Sequence, residues 1–171
     1  MIIWIASYPK SGNTWIRYLI SNYFFNYERK FNFNIAKAIK NFPTEDEMKS
    51  IVKRSEILKN PYSISNYWIQ GQENLKIKST QLNNQTDPQS NVVFLKTHNA
   101  LVSIKNKSFT NENHSLAIIQ IVRDPRDVVI SYSHFANSSY DEIIREMTSD
   151  RLMYRMDKSI DPPRVQITGS W

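Results

Sequence analysis

Short apolar runs alternate with longer stretches of helical periodicity along this chain. Three apolar runs have the length of buried strands: residues 2–6, residues 92–99, which end in polar side chains, and residues 116–122. Strands separated by helical stretches predict an α/β fold, in which helices flank a parallel sheet through right-handed crossovers. Because ligands bind such sheets beyond the carboxyl ends of the strands, the residues that follow each run are candidates for chemistry.

The first predicted helix follows the first strand and extends from Thr14 to about Tyr27. Its apolar positions recur at the spacing of one helical face, which we expect to pack on the sheet. These positions are Ile16, Leu19, Ile20, Tyr23 and Phe24.

Besides a helix at the start of residues 65–85, three further helices are predicted downstream. Capping boxes, in which a Ser or Thr hydroxyl and a Glu three residues later cap each other's backbone N–H groups, open two of them. The pairs are Thr44 with Glu47, for a helix that continues to Asn60-Pro61, and Ser139 with Glu142. The helix between them covers Asp127 to about Phe135, and its expected buried face consists of Val128, Val129 and Tyr132. Residues 65–85 read as a helix and then a loop, and residues 106–114 as a polar connection.

Length and composition indicate one globular domain, residues 1–171, with 40% hydrophobic and 22% charged residues. The 22 Lys and Arg residues exceed the 16 Asp and Glu residues, which gives a net charge of +6. Such a balance suits nucleic acid, an anionic membrane or an acidic small molecule. Because basic residues stand at the predicted strand ends, we expect the small molecule and no nucleic acid.

Several classes of site are excluded by residue usage. The absence of cysteine rules out disulfides, thiolate metal sites and a cysteine nucleophile. His98, His114 and His134 lie in separate segments without metal-ligand spacing, so no metal is expected. No stretch approaches the ~20 apolar residues of a membrane span, and we expect a cytoplasmic protein.

The turn after the first strand combines several features of an anion site. Lys10 brings a positive charge, Ser11 and Thr14 bring hydroxyl donors, and Gly12 permits a backbone conformation that approaches a ligand closely. The helix that follows adds unsatisfied N–H groups and the positive end of its dipole. The turn differs from the ATP/GTP loop, in which lysine follows the second of two glycines.

Three segments together resemble the sulfotransferases that use 3′-phosphoadenosine 5′-phosphosulfate (PAPS). Residues 8–15, Tyr-Pro-Lys-Ser-Gly-Asn-Thr-Trp, resemble the 5′-phosphosulfate loop of that family. Residues 96–98, Lys-Thr-His, resemble the segment with its catalytic base. Residues 123–128, Arg-Asp-Pro-Arg-Asp-Val, followed by Ser131, resemble its 3′-phosphate segment. The resemblance implies a P-loop-containing nucleotide-binding architecture, with PAPS as co-substrate and a small-molecule acceptor.

The resemblance also implies roles for individual residues. His98 is the implied base, with Lys10 and Lys96 supporting the leaving phosphate oxygen and the transferring sulfonate. Arg123 and Ser131 are implied to hold the 3′-phosphate, although Arg123 in an ion pair with Asp124 or Asp127 is the structural alternative. The loop residues implied to bind the donor are Lys10, Ser11, Gly12, Asn13, Thr14 and Trp15; for Trp15, a place against the adenine and one in the core stay open.

The family pattern is not complete in these 171 residues. Family members continue to an Arg/Lys-Gly-x-x-Gly-x-Trp-Lys segment that clamps the 3′-phosphate and adenine, and we expect the domain to be incomplete at its C-terminus. Two alternatives to a sulfotransferase remain: a non-catalytic nucleotide-binding remnant, and a kinase-like phosphotransferase with a P-loop. The acceptor and the oligomeric state cannot be read from the sequence.

Overall fold

The central element is a parallel sheet. The computed structural model describes residues 1–28, 30–44, 48–49, 51–75, 92–149, 153–157 and 163–170. Its strands are β1 (Ile2–Ser7), β2 (Lys40–Asn41), β3 (Val93–Thr97), β4 (Ser103–Ile104), β5 (Lys107–Ser108), β6 (Ser115–Ile121), β7 (Met153–Asp157) and β8 (Arg164–Thr168). The order β2-β3-β1-β6 forms the parallel sheet, and β4–β5 and β7–β8 pair as antiparallel ribbons.

Helices connect these strands. In chain order they are α1 (Asn13–Phe25), α2 (Arg54–Lys59), α3 (residues 68–75), α4 (Pro125–Ala136) and α5 (Tyr140–Met147), with 3₁₀ segments at Phe33–Ala38 and Pro61–Asn66. The predicted α/β class and parallel sheet are confirmed. The capping box of α5 is also confirmed, because the Ser139 hydroxyl accepts from the Glu142 N–H and the Glu142 carboxylate accepts from the Ser139 N–H.

One face of the sheet carries the main core. Trp4 is buried there, with its ring 5.3 Å from Phe42 and 5.0 Å from Phe109, centroid to centroid. Trp68 of α3 packs edge-on against the same Phe109 ring. The Trp4 Nε1 donates to the Ser115 hydroxyl at 2.7 Å, so its one polar atom is satisfied.

Helix α1 covers the opposite face. Phe24 packs against Phe94 of β3 at a ring distance of 5.2 Å, and Arg17 donates to the carbonyl oxygens of Ala36 and Ile39. The predicted stripe is mostly incorrect, because Leu19, Tyr23 and Phe24 are each more than half exposed. The buried residues of α1 are Asn13 and Ser21. Apolar residues lie almost all round this helix, so their spacing could not single out the inward face.

Other expectations differ from the structure. The helix predicted from Thr44 to Asn60 is interrupted at residues 52–53, and α2 is a separate element that ends at Lys59 as expected. Glu47, the predicted capping partner of Thr44 at the start of the longer helix, lies outside the described residues. The polar connection of residues 106–114 contains strand β5 and the buried Phe109, and the β7–β8 ribbon was not predicted.

Candidate active site

The turn between β1 and α1 has the backbone of an anion loop. Lys10 and Gly12 both take positive φ values, 68° and 106°, in the left-handed region. Gly12 suits its position because a side chain there would be strained, even though no atom lies within 4 Å of where a Cβ would stand. Helix α1 then begins at Asn13 with no side-chain cap. The Trp15 N–H donates to the Gly12 carbonyl oxygen, which leaves the N–H groups of Asn13 and Thr14 for a ligand.

The Ser11 hydroxyl supports the same interpretation. Ser11 is 4% exposed, and its Oγ is buried without a hydrogen-bond partner. An unpaired buried hydroxyl costs about 1–3 kcal/mol, so it calls for a partner. The residues present therefore fit an anionic group such as a phosphate.

Asn13 has a different role from its neighbours in the loop. Its Nδ2 donates to the Ile5 carbonyl oxygen at 3.1 Å and lies 3.2 Å from the Ser7 hydroxyl. The Asn13 side chain thus connects the loop to β1. Of the groups of Asn13, only the backbone N–H is then placed to bind a ligand. Thr14 and Trp15 are exposed, and at 68% exposure Trp15 is not a core residue.

Helix α4 closes the other side of the loop. An Nη of Arg123 donates to the Lys10 carbonyl oxygen at 3.2 Å, and its Nε lies 3.6 Å from the Asp127 carboxylate. The Lys10 Nζ stands 4.5 Å from the centroid of the Phe135 ring. Arg123 and Lys10 are 113 residues apart in the sequence. Their hydrogen bond therefore brings the loop and the start of α4 together as one surface.

Ser131 belongs to that surface through helical spacing. It lies one turn after Asp127 and one turn before Phe135, so the three share a face of α4. Since Asp127 pairs with Arg123 and Phe135 contacts Lys10, the Ser131 hydroxyl is on the side of α4 that faces the loop.

The neighbouring pair Arg126 and Asp124 organises the start of α4. Arg126 donates from Nε and Nη to both Asp124 oxygens, at 3.0 and 2.6 Å, and Asp124 also caps the helix through the Arg126 N–H. These hydrogen bonds lower the pKa of Asp124 to about 2. Arg126 is therefore engaged at the surface, whereas Arg123 points to the loop.

His98 follows β3 and lies against the end of β1. Its Nδ1 is 2.8 Å from the Ser7 carbonyl oxygen and 3.3 Å from the Ser7 hydroxyl. A carbonyl can only accept, so the shorter contact makes Nδ1 the donor and places the lone pair of the neutral ring on Nε2. This tautomer is the one that a proton acceptor at Nε2 needs.

A cavity of about 400 Å³ opens beside His98 on the core face of the sheet. Its apolar lining includes Trp4, Leu101, Phe109, Ile118 and Val122. Polar atoms come from His98, from Gln120 of β6 and from the end of β8. The cavity and the anion loop thus meet at the carboxyl ends of β1 and β3, with His98 between them.

Comparison with known proteins agrees with this geometry. A family model described as a sulfotransferase domain matches residues 2–161. The chain belongs to the sulfotransferase family. No curated protein and no solved structure matches it significantly. The α/β architecture and the sulfotransfer chemistry implied by the three motifs therefore rest on a match that spans nearly the whole chain.

In this sulfotransferase domain Asn99 is a structural residue that the motifs did not reveal. Its Oδ1 accepts from the Ile167 N–H at 2.8 Å and its Nδ2 lies 3.1 Å from the Thr97 hydroxyl. Asn99 therefore joins the end of β8 to the segment that carries His98 by hydrogen bonds. The end of β8 lines the cavity. The position of Asn99 directly after Lys-Thr-His was the only signal in the sequence.

Lys96 lies on the opposite face of the sheet from the cavity. It is two residues after Phe94, which packs on α1, and so shares that face. Burial, together with the positive charges of Arg17 and Arg164, lowers the pKa of Lys96 to about 7. The structure thus brings Lys10, Arg123 and Ser131 together and places His98 at the cavity, but Lys96 is on the α1 side.

The lowered pKa of Lys96 predicts a pH-dependent stability. Between pH 7 and 10.5 the unfolded chain holds a proton that the folded amine has lost, so raising the pH across this range stabilises the fold. We expect Lys96→Met to be more stable than the wild type at pH 6.5, by an amount that shrinks as the pH rises. Urea unfolding at pH 6.5, 7.5, 8.5 and 9.5 measures this difference.

The exposed Lys53 offers the matched control. Lys53→Met should follow the wild type with a constant offset at every pH. Parallel curves for Lys96→Met and the wild type would show that the Lys96 amine titrates normally.

Two further findings concern membrane spans and metal ligands in the described part of the chain. None of its helices is long and apolar enough to cross a membrane. Within the same residues no group of three or more His, Asp or Glu side chains is arranged to hold a metal ion.

Proposed function

We propose that this chain transfers the sulfuryl group of PAPS to a hydroxyl or amine acceptor, with His98 as the base. The observation that carries the proposal is the 2.8 Å contact between the His98 Nδ1 and the Ser7 carbonyl oxygen. It sets the ring tautomer at the junction between an anion loop and an apolar cavity. A base, an anion site and an acceptor cavity are what this transfer requires.

The donor would bind on the loop side. Lys10, the buried Ser11 hydroxyl and the N–H groups at the start of α1 are suited to the 5′-phosphosulfate. Arg123 and Ser131, on the facing side of α4, are suited to the 3′-phosphate, because a guanidinium makes forked charge-assisted bonds to phosphate. Lys96, on the α1 side of the same sheet end, would support the transferring sulfonate with the charge that its amine carries below its pKa of about 7.

The acceptor would bind in the cavity with its reacting group at the His98 Nε2. His98 takes the proton of the acceptor as the acceptor oxygen or nitrogen bonds to sulfur. The bond between sulfur and the phosphate oxygen breaks, and Lys10 stabilises the negative charge that remains on that oxygen. The products are the sulfated acceptor and 3′-phosphoadenosine 5′-phosphate.

Nucleotide binding tests the donor half of the proposal. A ligand at ~100 times its Kd that binds only the folded chain adds ~2.7 kcal/mol of stability. For a chain of this size we expect 3′-phosphoadenosine 5′-phosphate to raise Tm by roughly 5–10 °C. ADP and ATP, which lack the 3′-phosphate, should raise it much less. Thermal unfolding followed by circular dichroism makes the measurement.

The possible results separate the proposal from its alternatives. A shift with ATP alone would favour the kinase-like phosphotransferase. A selective shift with 3′-phosphoadenosine 5′-phosphate, together with no transfer of labelled sulfate from PAPS to a panel of phenols, alcohols and amines, would favour a non-catalytic remnant. Selective binding with transfer would support the full proposal. A single domain over residues 1–171 and a cytoplasmic location, which the absence of cysteine supports, remain parts of it.

A further inference from the structure

We infer that Gln120 selects acceptors that carry a second hydrogen-bonding group at the end remote from the reacting hydroxyl. The inference rests on the proposed function of the cavity, and it names the chemical class of the acceptor. The class is a flat apolar ring system with a hydroxyl at one end and a hydroxyl, carbonyl or amide at the other.

The sheet register places Gln120 opposite His98 across the cavity. Ala6 pairs with Thr97 on one side and with Gln120 on the other, so these three residues form one row. Neighbouring strands are about 4.8 Å apart, which puts Thr97 and Gln120 about 10 Å apart. Ala6, between them, is too small to interrupt a flat ring, and His98 directly follows Thr97.

The cavity around Gln120 is apolar. In the run of residues 116–122, Leu-Ala-Ile-Ile-Gln-Ile-Val, Gln120 is the one polar residue. Trp4 and Ile118 lie in the next row of the same face, and all three line the cavity. A ring system would fit over this apolar floor, while the carboxamide would face its edge.

The Gln120 carboxamide is available for a ligand, whereas the neighbouring Thr97 hydroxyl is committed, because it accepts from both the N–H and the Nδ2 of Asn99. The Thr168 hydroxyl, which also lines the cavity, is buried without a hydrogen-bond partner, but unlike Gln120 it is not exposed at the cavity surface. Gln120 is exposed and makes no side-chain hydrogen bond to any described residue. An acceptor that covered the carboxamide without bonding to it would leave a buried unpaired amide, so such acceptors would be disfavoured.

A matched pair of fluorescent phenols tests the inference. 2-Naphthol has a hydroxyl at one end only, and 2,6-dihydroxynaphthalene adds a second at the far end of the same rings. We expect the wild type to bind the diol about threefold to tenfold more tightly, the factor supplied by one hydrogen bond. Fluorescence polarisation of the naphthols measures both Kd values without turnover.

Substitution identifies the residue responsible. Gln120→Met keeps the length of the side chain and should bind both naphthols equally, with the Kd for 2-naphthol unchanged or lower. Gln120→Ala should lose the same preference, which guards against a fault peculiar to one variant. Gln70→Met, on an exposed position of α3 outside the cavity, should keep the preference.

Three results would overturn the inference: equal binding of the two naphthols by the wild type, a preference that survives in both Gln120 variants, or no binding of either naphthol. None of them bears on the donor, because the measurements contain no nucleotide. Conversely, a chain that shows the naphthol preference but transfers no sulfate would contradict the proposed function and leave the selectivity of Gln120 intact.

Discussion

His98→Asn is expected to lower the rate of sulfate transfer by ~10²–10⁴-fold while leaving nucleotide affinity nearly unchanged, as loss of a general base would. The asparagine Nδ2 can take the place of the histidine Nδ1 and donate to the Ser7 carbonyl oxygen. The contact that holds the segment against β1 is therefore kept, and only the proton-accepting Nε2 is lost. Single-turnover transfer with saturating PAPS measures the rate.

Two comparisons give this result its meaning. His134→Asn changes an exposed histidine in the last turn of α4 and should retain the wild-type rate. Nucleotide binding by His98→Asn should also match that of the wild type, which separates loss of the base from damage to the donor site. A variant that transferred sulfate at the wild-type rate would remove His98 from the mechanism.

Arg123→Ala is expected to weaken binding of 3′-phosphoadenosine 5′-phosphate by about 10- to 100-fold. Hydrogen bonds to charged groups contribute ~1.5–3 kcal/mol, and each 1.4 kcal/mol corresponds to tenfold in Kd. Adenosine 5′-phosphate, which has no 3′-phosphate, should lose less than about threefold on the same scale. Isothermal titration of the two nucleotides provides both values.

The two nucleotides must be compared because Arg123 also donates to the Lys10 carbonyl oxygen and could act by holding the loop. If the guanidinium acted only by holding the loop, both nucleotides would weaken equally. Arg126→Ala is the matched control: it removes an arginine of the same segment whose partner is Asp124 at the protein surface. It should leave both affinities near those of the wild type.

Local interactions explain why much of this domain could be predicted from sequence. The three strands of residues 2–6, 92–99 and 116–122 were found within two residues of their observed ends, because short apolar runs of this length are typical of parallel strands. Burial on both faces does not extend to β6, which ends the strand order of the sheet and is largely exposed. The capping box of α5 involves residues three positions apart. The motifs at the strand ends were equally local, and a parallel sheet gathers such ends at one edge.

Predictions that needed a partner from elsewhere in the chain were less successful. The inward face of α1 depended on what the sheet offers, since the apolar Leu19 and Tyr23 are exposed whereas the polar Asn13 and Ser21 are buried. Phe109 lies in a stretch of polar residues, and it is buried because Trp4 and Trp68 surround it. Such packing is chosen by the whole fold and leaves no periodic signal.

The sequence by itself determined the fold class, the family and the residues of the three motifs, because each rests on neighbours within a few positions. Only the tertiary structure decided how those residues are shared between two sides of the sheet. Strand register put His98 and Gln120 at the cavity and Lys96 on the face of α1. Side chains alternate between faces along a strand, so one step in register changes what each can touch.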